Sequence, residues 1–205
     1  MARGKALDEL KNPEVPVIFF DVETNGLSRH SSVLSITAIK AVFNGKDVDT
    51  IAEIFTRFYY RAPGEAVNPQ ALAVNGLSDE VIRKSRGTAQ YPQYFVQDMD
   101  FKTLCTGVKH YVGHNVSFDR KFVFFPLKHC FCTMKENITV LKLPRPQGGL
   151  KYPRLSETAS FYGLSLETDK LHGSEYDTRL TYELFRKMLT DDRTKARVSA
   201  FLNKK

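Results

Sequence analysis

From Val17 the chain runs Val-Ile-Phe-Phe without a polar position, then continues as Asp21-Val22-Glu23-Thr24 into the turn pair Asn25-Gly26. A short apolar run closed by turn formers predicts a buried strand. Val33 to Phe43 repeats the pattern with a largely apolar face and ends at Asn44-Gly45, and Ile51 to Tyr60 follows as a third strand. Three strands joined by short, turn-rich links predict an antiparallel meander that begins with the acidic strand.

After Asn68 the period changes. Pro69 to Val74 opens a short helix, Ser78-Asp79-Glu80 caps another, and Tyr91 to Cys105 carries Tyr94, Phe95, Met99 and Leu104 at spacings of one helical face. The apolar segment Tyr111-Val112-Gly113 then precedes a helix-like stretch from Ser117 to Leu127, which predicts a strand-then-helix unit. Cys130 to Leu143 fits either state, and Pro144 to Gly149 is a loop. Leu155 to Tyr162 predicts a helix stopped by Gly163. Asp177 to Leu189 places Leu180, Leu184, Phe185 and Met188 on one face of an amphipathic helix.

The acids of the first strand break its apolar character. Residues two apart on a strand share a face, so Asp21 and Glu23 project together. Paired negative charges repel, and a divalent cation between them relieves the repulsion. Taken alone, the pair fits a solvated strand end equally well.

With 205 residues and 42% hydrophobic content, the chain suits one domain, residues 1–205, with a core of about 15–190 and a basic tail from 191 to 205. Met1 to Pro16 is polar with no apolar export segment, and no apolar stretch is long enough to span a membrane, so a cytoplasmic, membrane-free protein is expected. Cys105, Cys130 and Cys132 make a sparse, odd set that suits structural thiols in a reducing compartment, and His129-Cys130-x-Cys132 lacks the second ligand pair of a closed zinc site. Lys and Arg total 30 against 23 Asp and Glu, a formal charge of +7. Such an excess suits a polyanionic partner, nucleic acid being the commonest. Four of the basic residues fall in the loop from Lys142 to Arg154, where they could follow a phosphate backbone.

Two further acids stand where a strand or loop hands over to a helix: Asp119, in Gly113-His114-Asn115-Val116-Ser117-Phe118-Asp119, and Asp177, in His172-Gly173-Ser174-Glu175-Tyr176-Asp177. With Phe20-Asp21-Val22-Glu23-Thr24-Asn25-Gly26-Leu27, these blocks resemble, in order and spacing, the DEDDh 3′-to-5′ exonucleases of the DnaQ-like family. The resemblance runs from about Val17 to Met188, and Cys132-Thr133-Met134-Lys135 brings it nearest to the branch of bacterial exonuclease X and the proofreading ε subunit.

The resemblance implies an α/β, ribonuclease-H-like fold with a mixed five-stranded sheet flanked by helices. It implies two divalent cations, Mg²⁺ or Mn²⁺, held by Asp21, Glu23, Asp119 and Asp177, with Asp21 bridging both and Asp119 acting mainly through the second ion or its surroundings. His172 becomes the general base, poorly placed until metal and a 3′ end bind, and the product a nucleoside 5′-monophosphate. Thr24, Asn25 and Leu27 are expected at the terminal nucleotide, Asn115 as a brace and substrate contact, Phe118 as a stacking surface and Leu77 as a wedge. DNA 3′ ends are the expected partner, with RNA trimming, polymerase-associated proofreading and binding without cleavage as alternatives. The chain departs from the family pattern at Asn25, where a second Thr is frequent, at Asn75, where a His is, and at Ser174, where an Ala is.

Overall fold

The computed structural model describes residues 14–205, so the polar N-terminus up to position 13, read above as free of an export signal, lies outside the described residues. The meander forms as the pattern predicts: β1 (Val15–Thr24), β2 (Val33–Phe43) and β3 (Thr50–Phe58) pair antiparallel in sequence. Next come α1 (Pro69–Asn75), α2 (Asp79–Arg86) and α3 (Asp100–Leu104). Strand β4 (His110–Gly113) then runs parallel to β1, followed by α4 (Val116–Asp119) and by β5 (His129–Cys132), parallel to β4. The sheet order is β3-β2-β1-β4-β5, a mixed five-stranded sheet. The remaining helices are α5 (Thr133–Glu136), α6 (Ile138–Leu141), α7 (Leu155–Phe161), α8 (Ser174–Thr190) and α9 (Lys195–Leu202).

Each sheet face carries its own core because β1 is apolar on both sides. Ile18, Phe20 and Val22 pack with Phe101, Tyr111, Val116 and Phe122 on one face. Val17 and Phe19 pack with Leu184, Phe185 and Met188 of α8 on the other. Among the described residues no helix is long and apolar enough to cross a membrane.

Two expectations about elements change. The stretch Tyr91–Cys105 is not one helix: a single 3₁₀ turn at Phe95–Gln97 precedes α3, and Met99 is exposed between them. Asp98 stands at the break with extended backbone, its Oδ1 accepting from the Asp100 N–H at 3.0 Å while its Oδ2 takes the Arg57 guanidinium and the Tyr59 hydroxyl. The helix expected over Ser117–Leu127 stops at Asp119. Within the basic segment from 191 to 205, for which a further helix or a frayed end were both open, α9 forms and buries Val198, Phe201 and Leu202 in the second core.

Candidate active site

Strand β1 does not end at the acids. Asp21 pairs with Thr37 and Glu23 with Ser35, so both lie within the ladder. They continue the row of Val17 and Phe19, and the opposing row of β2 changes character at the same level, from Ala41 and Ile39 to Thr37 and Ser35. One sheet face therefore turns from core to polar surface where α8 begins.

Buried hydroxyls fix that beginning. Ser35 Oγ donates to Ser174 Oγ at 3.0 Å, and Ser174 Oγ lies 3.1 Å from Thr37 Oγ1. One turn on, Thr178 Oγ1 donates to the carbonyl of Thr37 at 3.3 Å. Asp177 stands between Ser174 and Thr178 on α8, and one carboxylate oxygen from each of Asp21, Glu23 and Asp177 lies within 4.8 Å of the other two. Ser174, seen in the sequence only as a departure from a family pattern, is thus one of the anchors of the helix that carries Asp177.

Asp119 arrives from the opposite face. The β1–β4 ladder extends only to Phe19 and Val112. The backbone N–H of Val22, between the two strand acids, donates instead to Asp119 Oδ1 at 3.3 Å. The approach needs Gly113: a Cβ there would lie 3.1 Å from Val116 Cβ and 3.3 Å from the Phe20 carbonyl oxygen. Asp119 is buried and stands outside the three-carboxylate group.

Burial raises the proton affinity of all four acids, and repulsion from neighbouring acids adds to it at Asp21 and Glu23. Asp21 is held well above the usual carboxylate range by burial first, then by Asp119, Glu23 and Asp177. Burial, Asp177 and Asp119 push Glu23 to about 8. Burial pushes Asp119 to about 7 against the opposing Val22 N–H, and Asp177 to about 6 against the opposing influence of His172. Asp177 Oδ1 is buried with no hydrogen-bond partner. Hard oxygen donors that repel one another, one of them unsatisfied, fit divalent cations of the Mg²⁺ or Mn²⁺ type.

His172 is exposed in a left-handed backbone conformation, φ 66°, and its N–H donates to Asp177 Oδ2 at 3.3 Å. Its ring does not join the carboxylate group.

Beside Glu23 lies a pocket of about 380 Å³ walled by Leu27, Ala71, Val74 and Phe118. Leu27 is 81% exposed at its rim. Phe118 packs edge-on against Phe122 and carries Lys121 over its ring at 5.0 Å. Asn75 closes one end, donating from Nδ2 to the Thr24 carbonyl at 3.1 Å and accepting at Oδ1 from the Leu77 N–H at 3.0 Å, and it opposes the rise in the pKa of Glu23. Ala71 and Val74 were not named as contacts because an apolar helical stretch reads equally as core, whereas Asn75 stood out as a departure from the family pattern.

Other expected contacts serve the scaffold. Leu77 is buried against Leu34 and Ile82, since Gly76 in a left-handed conformation ends α1 and turns the next side chain inward; a wedge role at the 3′ end does not fit that placement. Asn25 is buried, its Nδ2 donating to Glu65 Oε1 and the Ala66 carbonyl while its Oδ1 accepts from the Asn68 N–H. These bonds hold the segment whose Asn68 caps α1. The Thr24 hydroxyl is spent on the Gly26 carbonyl at 2.7 Å. Asn115 adopts φ 73° and opens α4 without a side-chain cap.

A model of the exonuclease family matches residues 18–185. The chain belongs to that family. Within that family the likeness is to the DnaQ-like exonucleases. A PolC-type DNA polymerase III from Pediococcus pentosaceus is 28% identical over 180 residues, 85% of this chain and 11% of the polymerase. The chain spans only about a tenth of the PolC-type relatives it matches. A ribonuclease T from Shewanella denitrificans is 26% identical over 83% of this chain and 78% of that enzyme. Among solved structures, exonuclease X in complex with 5′ overhanging duplex DNA has a TM-score of 0.61 at 20% identity, covering 89% of this chain and 99% of that one. Escherichia coli exonuclease I with a dA16 oligonucleotide has a TM-score of 0.65 at 15% identity, covering 91% and 42%. These likenesses bear on the fold, and the mixed sheet flanked by helices is the one they share.

Proposed function

We propose that this exonuclease-family chain removes nucleotides one at a time from DNA 3′ ends by hydrolysis, releasing nucleoside 5′-monophosphates. The observation that carries the reading is the convergence of Asp21, Glu23 and Asp177 within 4.8 Å, beside a pocket large enough for a terminal base and sugar. Asp21, Glu23 and Asp177 would hold two divalent cations, with Asp119 supporting the second. Bound there, the cations would lower the pKa of water and stabilise charge on the attacking and leaving oxygens.

The chain's own groups supply position and proton handling. Phe118, Ala71 and Val74 offer apolar surface to the terminal nucleoside, and Leu27 covers it from the rim. Asn75 holds the Thr24 carbonyl at the pocket's closed end, tying α1 to the end of the strand that carries Glu23. His172, next to Gly173 on an exposed turn, would accept the proton of the attacking water once the turn closes over the substrate.

RNA is the second reading, and one observation favours it: the ribonuclease T relative is spanned over 78% of its length, whereas the PolC-type relatives are spanned over about a tenth. The test is direct. Matched 5′-labelled DNA and RNA oligonucleotides are incubated with the protein and Mg²⁺ or Mn²⁺, beside Asp177→Asn. A ladder of shortened DNA that the variant does not make is expected. Shortening of RNA alone would replace the DNA reading, and tight binding with no shortening of either would overturn hydrolysis.

A further inference from the structure

A second depression, of about 440 Å³, lies at the β5 edge of the sheet and takes no part in the site above. Residues of β5 form its floor, and α4, α5 and α9 form its walls. The walls are tied to one another. Arg197 Nε donates to Glu136 Oε2 at 2.6 Å and its Nη2 to the Glu136 carbonyl at 3.0 Å, joining α9 to α5. Lys135 Nζ donates to Ser117 Oγ at 3.2 Å, joining α5 to α4.

The groove's charge is one-sided. Arg120, Lys135, Arg197 and Lys204 line it against the single acid Glu136, which Arg197 already neutralises. Arg120, Lys135 and Lys204 form no ion pair among the described residues, so three uncompensated cations face one cleft with braced walls. Like charges brought together at that density repel, and a chain of phosphates relieves the repulsion while releasing its own counterions. A peptide strand added to β5 would gain little, because β5 has only four residues.

The position relative to the acids gives the groove its meaning. Helix α4 separates the two depressions: Phe118 faces the pocket beside Glu23, while Val116, Ser117 and Arg120 face the basic groove. We propose that this groove holds the sugar–phosphate backbone of the substrate strand upstream of its 3′ terminus, after the strand crosses α4 from the pocket. The proposal rests on the exonuclease reading, and it makes the groove a determinant of substrate length.

The test compares the full chain with Arg120→Gln/Lys135→Gln/Lys204→Gln. Binding of a single-stranded oligomer of about twenty nucleotides, beyond the ~4–16-nucleotide footprint of typical single-strand grooves, is followed by fluorescence anisotropy in EDTA over a salt series. Hydrolysis of that oligomer and of a dinucleotide is followed with Mg²⁺. At about 0.7 counterions per phosphate contact, the slope of log affinity against log salt should fall by about 2, and KM for the oligomer should rise about tenfold or more. Dinucleotide hydrolysis should stay within about twofold, since a dinucleotide does not reach past α4.

An unchanged slope and unchanged oligomer affinity would overturn the proposal, leaving a solvated face. Equal losses on dinucleotide and oligomer would overturn it too, as would wild-type binding to polyglutamate as tight as to the oligomer. If the triple variant loses its circular dichroism signal, Arg120→Glu alone carries the same comparison. A wild type that binds the oligomer through these residues yet cleaves nothing would refute the exonuclease reading and keep the groove.

Discussion

Asp119 Oδ1 accepts a hydrogen bond from the backbone N–H of Val22, a residue 97 positions earlier that lies between the two strand acids. The bond makes Asp119 an acid and a clamp at once. Asn at this position keeps an oxygen for the Val22 N–H but removes a charge that raises the proton affinity of Asp21 and Glu23. Ala removes both, leaving a buried donor without an acceptor, at about 1–3 kcal/mol. In chelator at pH 8, Asp119→Asn should melt at or above the wild-type temperature and Asp119→Ala several degrees below it, while both lose about a hundredfold or more in exonuclease rate. Thermal melts beside a labelled-oligonucleotide assay read the two effects separately, and equal melting of the two variants would remove the clamp.

The four acids also set a pH dependence. Glu23 moves from 4.5 to about 8, Asp119 from 3.8 to about 7 and Asp177 from 3.8 to about 6 on folding. A carboxyl whose folded pKa is raised holds more protons folded than unfolded, so its stabilising contribution is complete below about pH 4 and is lost as pH rises through the folded values. In EDTA the contribution of the site should therefore fall between about pH 4 and 8. Divalent cations bind the ionised form and compete with those protons, so Mn²⁺ should raise the melting temperature much more at pH 8 than at pH 5. Scanning fluorimetry across that range decides it; an equal rise at both pH values would mean that the ion binds elsewhere.

The strands and the Asp21–Glu23 pair were legible because period-two alternation and an apolar run interrupted by charge are properties of neighbouring residues, whereas Asp119 and Asp177 stood out only through the blocks that resemble a known family. The Val17, Phe19, Asp21, Glu23 row needs nothing but a strand. Asp98 and Asn25 were not legible in the same way. Each acts through partners more than thirty residues away, Arg57 and Tyr59 for one and Glu65 to Asn68 for the other, and no local period records such a bond. The same reason hid the burial of α9: its surface is basic, and its packing depends on the space left for Phe201, which meets Phe131 at 5.1 Å between ring centroids. The pocket wall was hidden by ambiguity, since Ala71 and Val74 have the same pattern in a core helix as beside a substrate.

His114 yields a second pH dependence, of opposite sign. Its ring lies between Thr133 Oγ1, at 2.9 Å from Nδ1, and the Pro153 carbonyl, at 3.0 Å from Nε2. The carbonyl can only accept, so Nε2 carries the proton of the neutral ring. Burial pushes the pKa down to about 4 from 6.5. A folded pKa below the unfolded one means that stability is complete above about pH 6.5 and declines as pH falls toward 4, by about 3 kcal/mol in all. His114→Gln should abolish that decline while costing stability at pH 8. The difference between the two proteins in urea midpoint across pH 4 to 8 isolates this group from the carboxylates; a flat difference would mean that His114 does not bury its neutral form.

Ser174 offers a sharper test of how α8 is placed. Its hydroxyl meets Ser35 and Thr37, the cross-strand partners of Glu23 and Asp21, so the first turn of α8 is tied to β2 at the level of the acids. Ser174→Ala removes one hydroxyl and leaves two. Thr37 keeps a partner in Thr56 Oγ1 at 3.1 Å, whereas Ser35 loses the acceptor it has here, so a cost of about 1 kcal/mol is expected. Asp177 lies one turn along α8, and a looser first turn would widen its distance from Asp21 and Glu23. The apparent affinity for Mn²⁺ should then weaken several-fold with little change in the pH dependence seen in EDTA, because the acids themselves remain. Calorimetric titration of Mn²⁺ into both proteins reads this directly. Unchanged affinity with the full loss of stability would show that Thr178, through its bond to the Thr37 carbonyl, positions the helix without help from Ser174.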